Sequence, residues 1–225
     1  MSRHKTLPQK DPIVTNVEAA CETSGTDMYM VLQHACIALN ATAEKFYKKD
    51  TTNGVEYANF INRYSWILSA TSQSVDFEKT KFGDLGVKIG GKLIKNPTVG
   101  DIVYFIRTKV AHGKKVPETL GFSEDNSFSF GKNGTLHMPQ SFAWGLIFIC
   151  VFAEINDNIK SDGNVKLIYV GPLKHKPYSF NPIANTITKF EFLVKDSWGK
   201  EKELKKFYSQ FDIAKIDFSQ FWTTT

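Results

Sequence analysis

The chain has 225 residues, of which 42% are hydrophobic, 23% charged and 13% aromatic, and its net charge is +5. This composition excludes a disordered chain, a collagen and a coiled-coil rod, and the length fits one domain with at most a small addition. The longest apolar run, residues 142–153, is much shorter than the roughly 20 residues that a membrane-spanning helix needs. We therefore predict no membrane segment. The polar, basic start of the chain predicts no secretion signal, and thus a cytoplasmic location.

The cysteines and histidines predict neither disulfides nor a bound metal. There are three cysteines, Cys21, Cys36 and Cys150, and no Cys-x-x-Cys pair occurs. An odd number at wide spacing is atypical of a disulfide framework or a thiolate zinc site. The five histidines also lack the spacing of a metal site. We expect reduced thiols, no metal and no cofactor.

The first 160 residues predict a mainly helical architecture. Residues 1–26 are expected to form an arm that is poorly ordered or loosely docked. Apolar residues at spacings of three and four then predict a helix over 27–49 and a second that continues to about residue 74. Asn53 is the predicted N-cap of the second helix, with Glu56 as its capping-box partner.

Two further helices complete the predicted four-helix core. The third covers about 98–112, with Gly113 placed to stop it. The fourth covers about 139–158 and is apolar nearly all round, as expected of a central helix. Between them, three phenylalanines and two turn sequences predict a short β-hairpin. Core packing is the favoured role of these phenylalanines, although aromatic side chains beside basic residues also stack on RNA bases.

Composition shifts after residue 160, towards alternating strands and loops. Strands are predicted over 165–170 and 186–194, a charged helix over 197–211 and a last strand over 213–218. The predicted organisation is therefore an N-terminal arm (1–26), a helical domain (27–160) and a small C-terminal α/β appendage (161–225).

Basic residues are concentrated in the middle of the chain. Residues 79–115 contain nine basic and two acidic residues, a net charge of +7, so the remainder of the chain sums to −2. A local excess of this size attracts a polyanion such as RNA. A solvated lysine-rich surface is the alternative interpretation.

An arginine and a histidine stand at the end of the third predicted helix, in the sequence Arg107-Thr-Lys-Val-Ala-His112. Five residues of helix separate their Cβ directions by about 140°, so they converge only if His112 lies in a frayed last turn or if two copies of the helix face each other. A histidine transfers protons near neutral pH, and an arginine grips a phosphate bidentately. The alternative is a surface ion pair for Arg107 and a helix cap at His112.

Four helices, with Arg-x-x-x-x-His at the end of the third and a long apolar fourth, resemble the HEPN family over about residues 27–160. The resemblance implies a HEPN-like bundle and a metal-independent endoribonuclease that uses 2′-hydroxyl attack. It implies a homodimer with both motifs at the shared interface, and a toxin or antiviral defence effector with an antitoxin or regulatory protein as partner. Arg107 and His112 take the catalytic places. The residue after the arginine is usually Asn, Asp or His, whereas this chain has Thr108.

The leading hypothesis is that Arg107 holds the scissile phosphate and His112 transfers the proton. Thr108 would position the histidine, while Lys109, Lys114 and Lys115 would attract the RNA backbone. The non-standard Thr108 favours a second hypothesis, a non-catalytic HEPN-like dimerisation or RNA/nucleotide-binding module. A third is a helical interaction protein with no nucleic-acid partner.

Overall fold

The computed structural model describes residues 10–23, 27–72, 75–80, 82, 88–89, 92–111, 120–123, 128–130, 136–172 and 187–209. The predicted mainly helical fold is confirmed for this part of the chain. Its α-helices have the following bounds: α1 Pro12–Thr23, α2 Met28–Tyr47, α3 Gly54–Arg63, α4 Ser65–Ser72, α5 Val99–Ala111, α6 Gln140–Phe152 and α7 Glu201–Tyr208. Single 3-10 turns cover Glu154–Asn156 and Val194–Asp196.

The strands are short and form three small sheets. Their bounds are β1 Lys88–Ile89, β2 Lys92–Leu93, β3 Leu120–Ser123, β4 Ser129–Phe130, β5 Leu136–Pro139, β6 Lys166–Pro172 and β7 Ile187–Leu193. Strands β1 and β2 pair antiparallel, as do β6 and β7, and the third sheet has the order β3-β5-β4. The predicted last strand over 213–218 lies outside the described residues.

The expectation of a loosely docked N-terminal arm is wrong for residues 12–23. Asp11 begins helix α1 by accepting the backbone N–H of Ile13 at 2.8 Å. The helix buries its apolar face, which includes Val17, in the core beside α2. The Nδ1 atom of His34 on α2 lies 3.0 Å from the side-chain oxygen of Asn16. Residues 12–23 therefore pack as a helix, because burying their apolar face against the core is favourable.

The second predicted helix is two helices. The predicted capping box at its start is confirmed, since Asn53 accepts from Glu56 N–H and Glu56 accepts from Asn53 N–H. Tyr64 interrupts the helix with φ −108° and ψ 15°, and its N–H donates to the carbonyl of Ile61 at 2.9 Å. This three-residue hydrogen bond tightens the turn and changes the direction of the chain before α4.

Helix α6 is the centre of the molecule, as its all-round apolar sequence predicts. Ten of its thirteen residues are buried, and it packs against α2, α4 and α1. The helix ends at Phe152, six residues before the predicted end. Asn156 accounts for this end, because its Nδ2 atom donates to the carbonyl of Cys150 at 2.7 Å.

The predicted hairpin is confirmed only between β4 and β5, which pair antiparallel. Strand β3 pairs with β5 in parallel instead of forming a hairpin with β4. The expected packing role of phenylalanine is confirmed at Phe128, whose ring centroid lies 4.8 Å from that of Phe142. Phe122 lies edge-on to Tyr29 at 5.1 Å. The side chain of Phe130 lies outside the described residues.

The C-terminal strands and helix share the core of the helices. Phe192 on β7 lies 5.8 Å from Phe148 and 5.4 Å from Phe152, measured between ring centroids. Helix α7 is shorter than predicted, and its Tyr208 lies edge-on to Trp66 on α4 at 6.0 Å. The predicted boundaries at residues 26 and 160 stay predictions. Among the described helices, none combines the length and the apolar character needed to cross a bilayer.

Candidate functional site

The site is built on the close crossing of α3 and α5. A Cβ atom at Gly100 would lie 2.1 Å from the carbonyl oxygen of Ala58, so the two backbones touch where only glycine fits. Asn62 of α3 accepts the N–H of Gly100 at 2.9 Å. Thr98 and Asp101 cap the start of α5, because Thr98 N–H donates to the Asp101 carboxylate at 2.8 Å. These contacts fix α5 on α3.

Two tyrosine rings support the guanidinium of Arg107 on this scaffold. Its central carbon lies 5.2 Å from the ring centroid of Tyr57 and 6.0 Å from that of Tyr104. Tyr104 is three residues before Arg107 and shares its face of α5. Gly54 makes room for Tyr104, since a Cβ there would lie 2.7 Å from the ring. Aromatic faces attract cations at these distances.

Arg107 is half-buried and has no acidic partner. Among the described residues, no carboxylate lies within 4.0 Å of its guanidinium, and none of them accepts a hydrogen bond from it. The surface ion pair suggested as the alternative for Arg107 is therefore not observed in this part of the chain. A supported guanidinium with free donors is suited to binding an anion such as phosphate.

Arg107 faces a groove between α2 and α5, which we call the Arg107 groove. It encloses about 240 Å³ and is lined by Gln33, Cys36, Ile37, Asn40, Arg107 and Val110. The α2 residues recur at helical spacings and form one wall, while Arg107 and Val110, three residues apart, form the other. The groove thus combines one cation, two amides and apolar surface.

Burial governs the ionisation of the groups beneath the groove. It raises the pKa of the Cys36 thiol to about 12, and the nearby Arg107 charge acts in the opposite direction with a smaller effect. It raises the pKa of Tyr57 well above its usual value. The hydroxyl of Tyr57 is buried and has no hydrogen-bond partner among the described residues. Both groups are neutral at physiological pH, so Arg107 supplies the charge.

The other predicted site residues of α5 do not line the Arg107 groove. The hydroxyl of Thr108 donates to the carbonyl of Tyr104 at 2.9 Å, within the same helix. Lys109 is exposed and its Nζ atom lies 5.3 Å from the ring centroid of Phe105. Two residues of helix place Lys109 about 160° around the axis from Arg107, so the two cations occupy different faces.

The remaining predicted site residues, His112, Lys114 and Lys115, lie outside the described residues, as does Gly113. The structure describes α5 through Ala111. The pairing of Arg107 with His112 therefore stays a prediction. No group of three or more His, Cys, Asp or Glu side chains in the described ranges has the arrangement of a metal site.

Sequence reasoning missed Gln33, Asn40, Tyr57 and Tyr104. Gln33 and Asn40 are seven residues apart and follow the polar edge of α2, which is a typical pattern for a solvated face. Tyr57 belongs to the apolar stripe of α3 and is typical of a core residue, whereas Tyr104 lies beside the apolar stripe of α5 and is only partly buried. The spacing of three residues between Tyr104 and Arg107 was the one local signal. No local signal connects Gln33, Asn40 or Tyr57 with Arg107, since those contacts depend on how α2, α3 and α5 pack.

A family model named Rv1289 matches residues 13–222, so the chain belongs to the Rv1289 family. The match begins inside α1 and continues beyond α7. No curated protein and no solved structure shows a significant match to the chain. The family name states no activity, so a function has to be argued from the residues of the site.

Proposed function

We propose that the protein is a metal-independent endoribonuclease of HEPN type. Its HEPN-like bundle has four members, which are α2, the pair α3 and α4 counted as one, α5 and α6. The observation that carries the proposal is the guanidinium of Arg107, which is supported by two aromatic rings and faces an open groove. No carboxylate in the described ranges pairs with it. It lies on the helix that leads to His112. An oriented cation and a histidine are the minimal equipment for cleaving a phosphodiester without a metal.

In the proposed reaction the ribose 2′-oxygen attacks the adjacent phosphorus while the bond from phosphorus to the 5′-oxygen breaks. The 2′-hydroxyl gives its proton to a neutral His112, and a protonated His112 gives one to the departing 5′-oxygen. A homodimer supplies both histidines. Arg107 donates to the non-bridging phosphate oxygens, where negative charge builds. The products are a 2′,3′-cyclic phosphate and a 5′-hydroxyl.

The basic middle of the chain supports an RNA substrate. Lys79, Lys92, Lys95 and Lys109 are exposed side chains within it. Lys79 pairs with Asp76 at 3.0 Å. In the proposal Lys109, Lys114 and Lys115 attract the RNA backbone without contacting bases, an interaction that weakens as salt rises.

The decisive experiment incubates the purified full chain with RNA in EDTA and analyses the ends of the fragments. We expect 2′,3′-cyclic phosphate ends from the wild type, and a loss of several orders of magnitude for His112→Ala and for Arg107→Ala. The matched controls are Arg63→Ala, which removes an arginine 5.5 Å from the ring of Phe46, and His137→Ala on β5. Unchanged cleavage by the His112→Ala protein rejects the mechanism.

The proposed biological role is a cytoplasmic toxin or antiviral defence effector, restrained by an antitoxin or another regulatory protein. Expression of the wild type should arrest growth and degrade cellular RNA, whereas His112→Ala should do neither. Growth arrest by both proteins contradicts a role that depends on cleavage.

One observation favours the second candidate, a non-catalytic dimerisation or RNA/nucleotide-binding module. The Thr108 hydroxyl donates its proton to the Tyr104 carbonyl within α5, so that proton is not used to orient His112. This candidate predicts salt-sensitive RNA binding without turnover, and binding that Arg107→Ala weakens more than Arg63→Ala does.

A further inference from the structure

The Arg107 groove contains one amide that is already held and one that is free. The Nδ2 atom of Asn40 donates to Glu44 at 2.7 Å, and its oxygen accepts from the Thr52 hydroxyl at 3.4 Å. Gln33 is exposed, and its side chain has no hydrogen-bond partner among the described residues. A free amide at the mouth of a groove presents one donor beside one acceptor to a ligand.

Apolar surface accompanies this free amide on both walls. Ile37, one helical turn beyond Gln33, has an exposed fraction of 45%, so it presents apolar surface at the mouth of the groove. Val110 lines the opposite wall, one turn beyond Arg107. Covering Ile37 with a flat apolar ligand face is favourable, because it removes hydrocarbon surface from water.

We propose that Gln33 selects the base of the nucleotide whose phosphate Arg107 binds, and that this base is adenine. The inference deepens the proposed function and rests on it for the choice of RNA as ligand. Adenine presents an amino donor beside a ring-nitrogen acceptor on both of its edges, the complement of a glutamine amide. Cytosine presents that pair on one edge only, and its single ring covers less apolar surface than the two rings of adenine. The face of the base lies against Ile37 and Val110. Single-stranded RNA leaves its base edges free for such contacts.

Guanine is the competing base, since an arginine pairs bidentately with its O6 and N7 atoms. That arrangement would use Arg107 for the base and leave the phosphate without its cation. The two assignments make opposite predictions for Gln33, because only adenine recognition depends on it.

The test measures the affinity of the full-length protein for the four nucleoside 3′-monophosphates by calorimetry. We expect adenosine 3′-phosphate to bind most tightly. Gln33→Ala should reduce that affinity by about tenfold or more, because the variant loses a bidentate contact to the base. Its affinity for adenosine 3′-phosphate should then equal its affinity for the other three nucleotides. Gln140→Ala, an exposed glutamine at the start of α6, is the matched control and should leave the preference intact. Equal affinities in the wild type, or a preference that Gln33→Ala does not change, overturn the proposal.

Binding requires no turnover, so this test is separate from that of the nuclease. The protein could bind adenosine 3′-phosphate selectively through Gln33 and yet fail to cut RNA in EDTA. That result supports the base assignment and contradicts the proposed nuclease activity. Cleavage with no enrichment of adenine at the cut site, and no effect of Gln33→Ala on the cleavage pattern, overturns the base assignment alone.

Discussion

The guanidinium carbon of Arg107 lies 5.2 Å from the ring centroid of Tyr57, a side chain with no solvent exposure. A buried ring cannot move without disturbing the core, so it gives the long arginine side chain a fixed surface to lie on. The position of the cation that lines the groove is thereby tied to the packing of α3 against α5.

The pairing of Arg107 with Tyr57 predicts a coupling free energy in a double-mutant cycle. Tyr57→Leu and Arg107→Ala should couple by about 0.5–2 kcal/mol in the free energy of unfolding, the range of cation–π pairs. The cycle of Tyr57→Leu with Arg63→Ala should be additive. Tyr57→Phe keeps the ring and removes a hydroxyl that has no hydrogen-bond partner in the described part of the chain. Its free energy of unfolding should therefore be at least that of the wild type, and up to about 1 kcal/mol higher. Chemical denaturation measures all these values, and additivity in both cycles contradicts the support of Arg107 by Tyr57.

The contact between α3 and α5 predicts a contrast between two glycine substitutions. Gly100→Ala should destabilise the protein by about 2 kcal/mol or more, because the added carbon meets the backbone of Ala58 at 2.1 Å. Gly54→Ala meets only the ring of Tyr104, which can rotate, and should cost less. Thermal unfolding compares the two variants. A smaller loss for Gly100→Ala than for Gly54→Ala contradicts this account of the crossing.

Asn156 predicts a large effect from a single buried amide. It is fully buried, and it donates to the Cys150 carbonyl and to the Thr42 hydroxyl while its oxygen accepts from Lys45. Asn156→Ala removes the buried donor to the Cys150 carbonyl, whereas Thr42 still donates to Ala38 and Lys45 still donates to Asn158. It should lower the free energy of unfolding by about 2 kcal/mol. Asn158→Ala is the matched control, since Asn158 accepts from the same lysine at 2.6 Å but is exposed. Its cost should stay within about 0.5 kcal/mol, and equal losses for both variants contradict the role given to burial.

The Cys36 thiol predicts a loss of stability at alkaline pH. Burial raises its pKa from 9.0 in the unfolded chain to about 12 in the folded protein. Ionisation of Cys36 therefore does not reduce the free energy of unfolding below pH 9. As the pH rises from 9 towards 12, this group lowers the free energy of unfolding by up to about 1.4 kcal/mol per pH unit. Urea unfolding between pH 8 and 10.5 should show a shallower decrease for Cys36→Ser, which has no thiol to ionise. Parallel curves for the two proteins contradict this contribution.

Helices with caps and a periodic apolar face were predictable from local sequence. Asp27 caps α2 by accepting two backbone N–H groups, and the Asn53 capping box begins α3 as expected. The start of α1 carries a comparable signal, since Asp11 is followed by Pro12, which suits the first helical turn. Its short length and polar flanks led to the interpretation as an arm.

The features that escaped prediction depend on contacts between distant parts of the chain. The break at Tyr64 has no Gly or Pro to mark it, and the parallel pairing of β3 with β5 is a non-local choice that short strands do not specify. The placement of Gln33 opposite Arg107 follows from the packing of α2 against α5. Arg107 itself was found from its spacing to His112, whereas its aromatic support was not.

The burial of α6 on every side has a consequence for synthesis on the ribosome. The helix occupies residues 140–152, late in the chain, yet α1, α2 and α4 all bury their apolar faces against it. A nascent chain that has exposed α1 to α4 thus presents hydrocarbon surface to solvent until α6 emerges from the exit tunnel. Chaperones that bind exposed apolar segments should engage this protein during translation and release it once α6 is inserted.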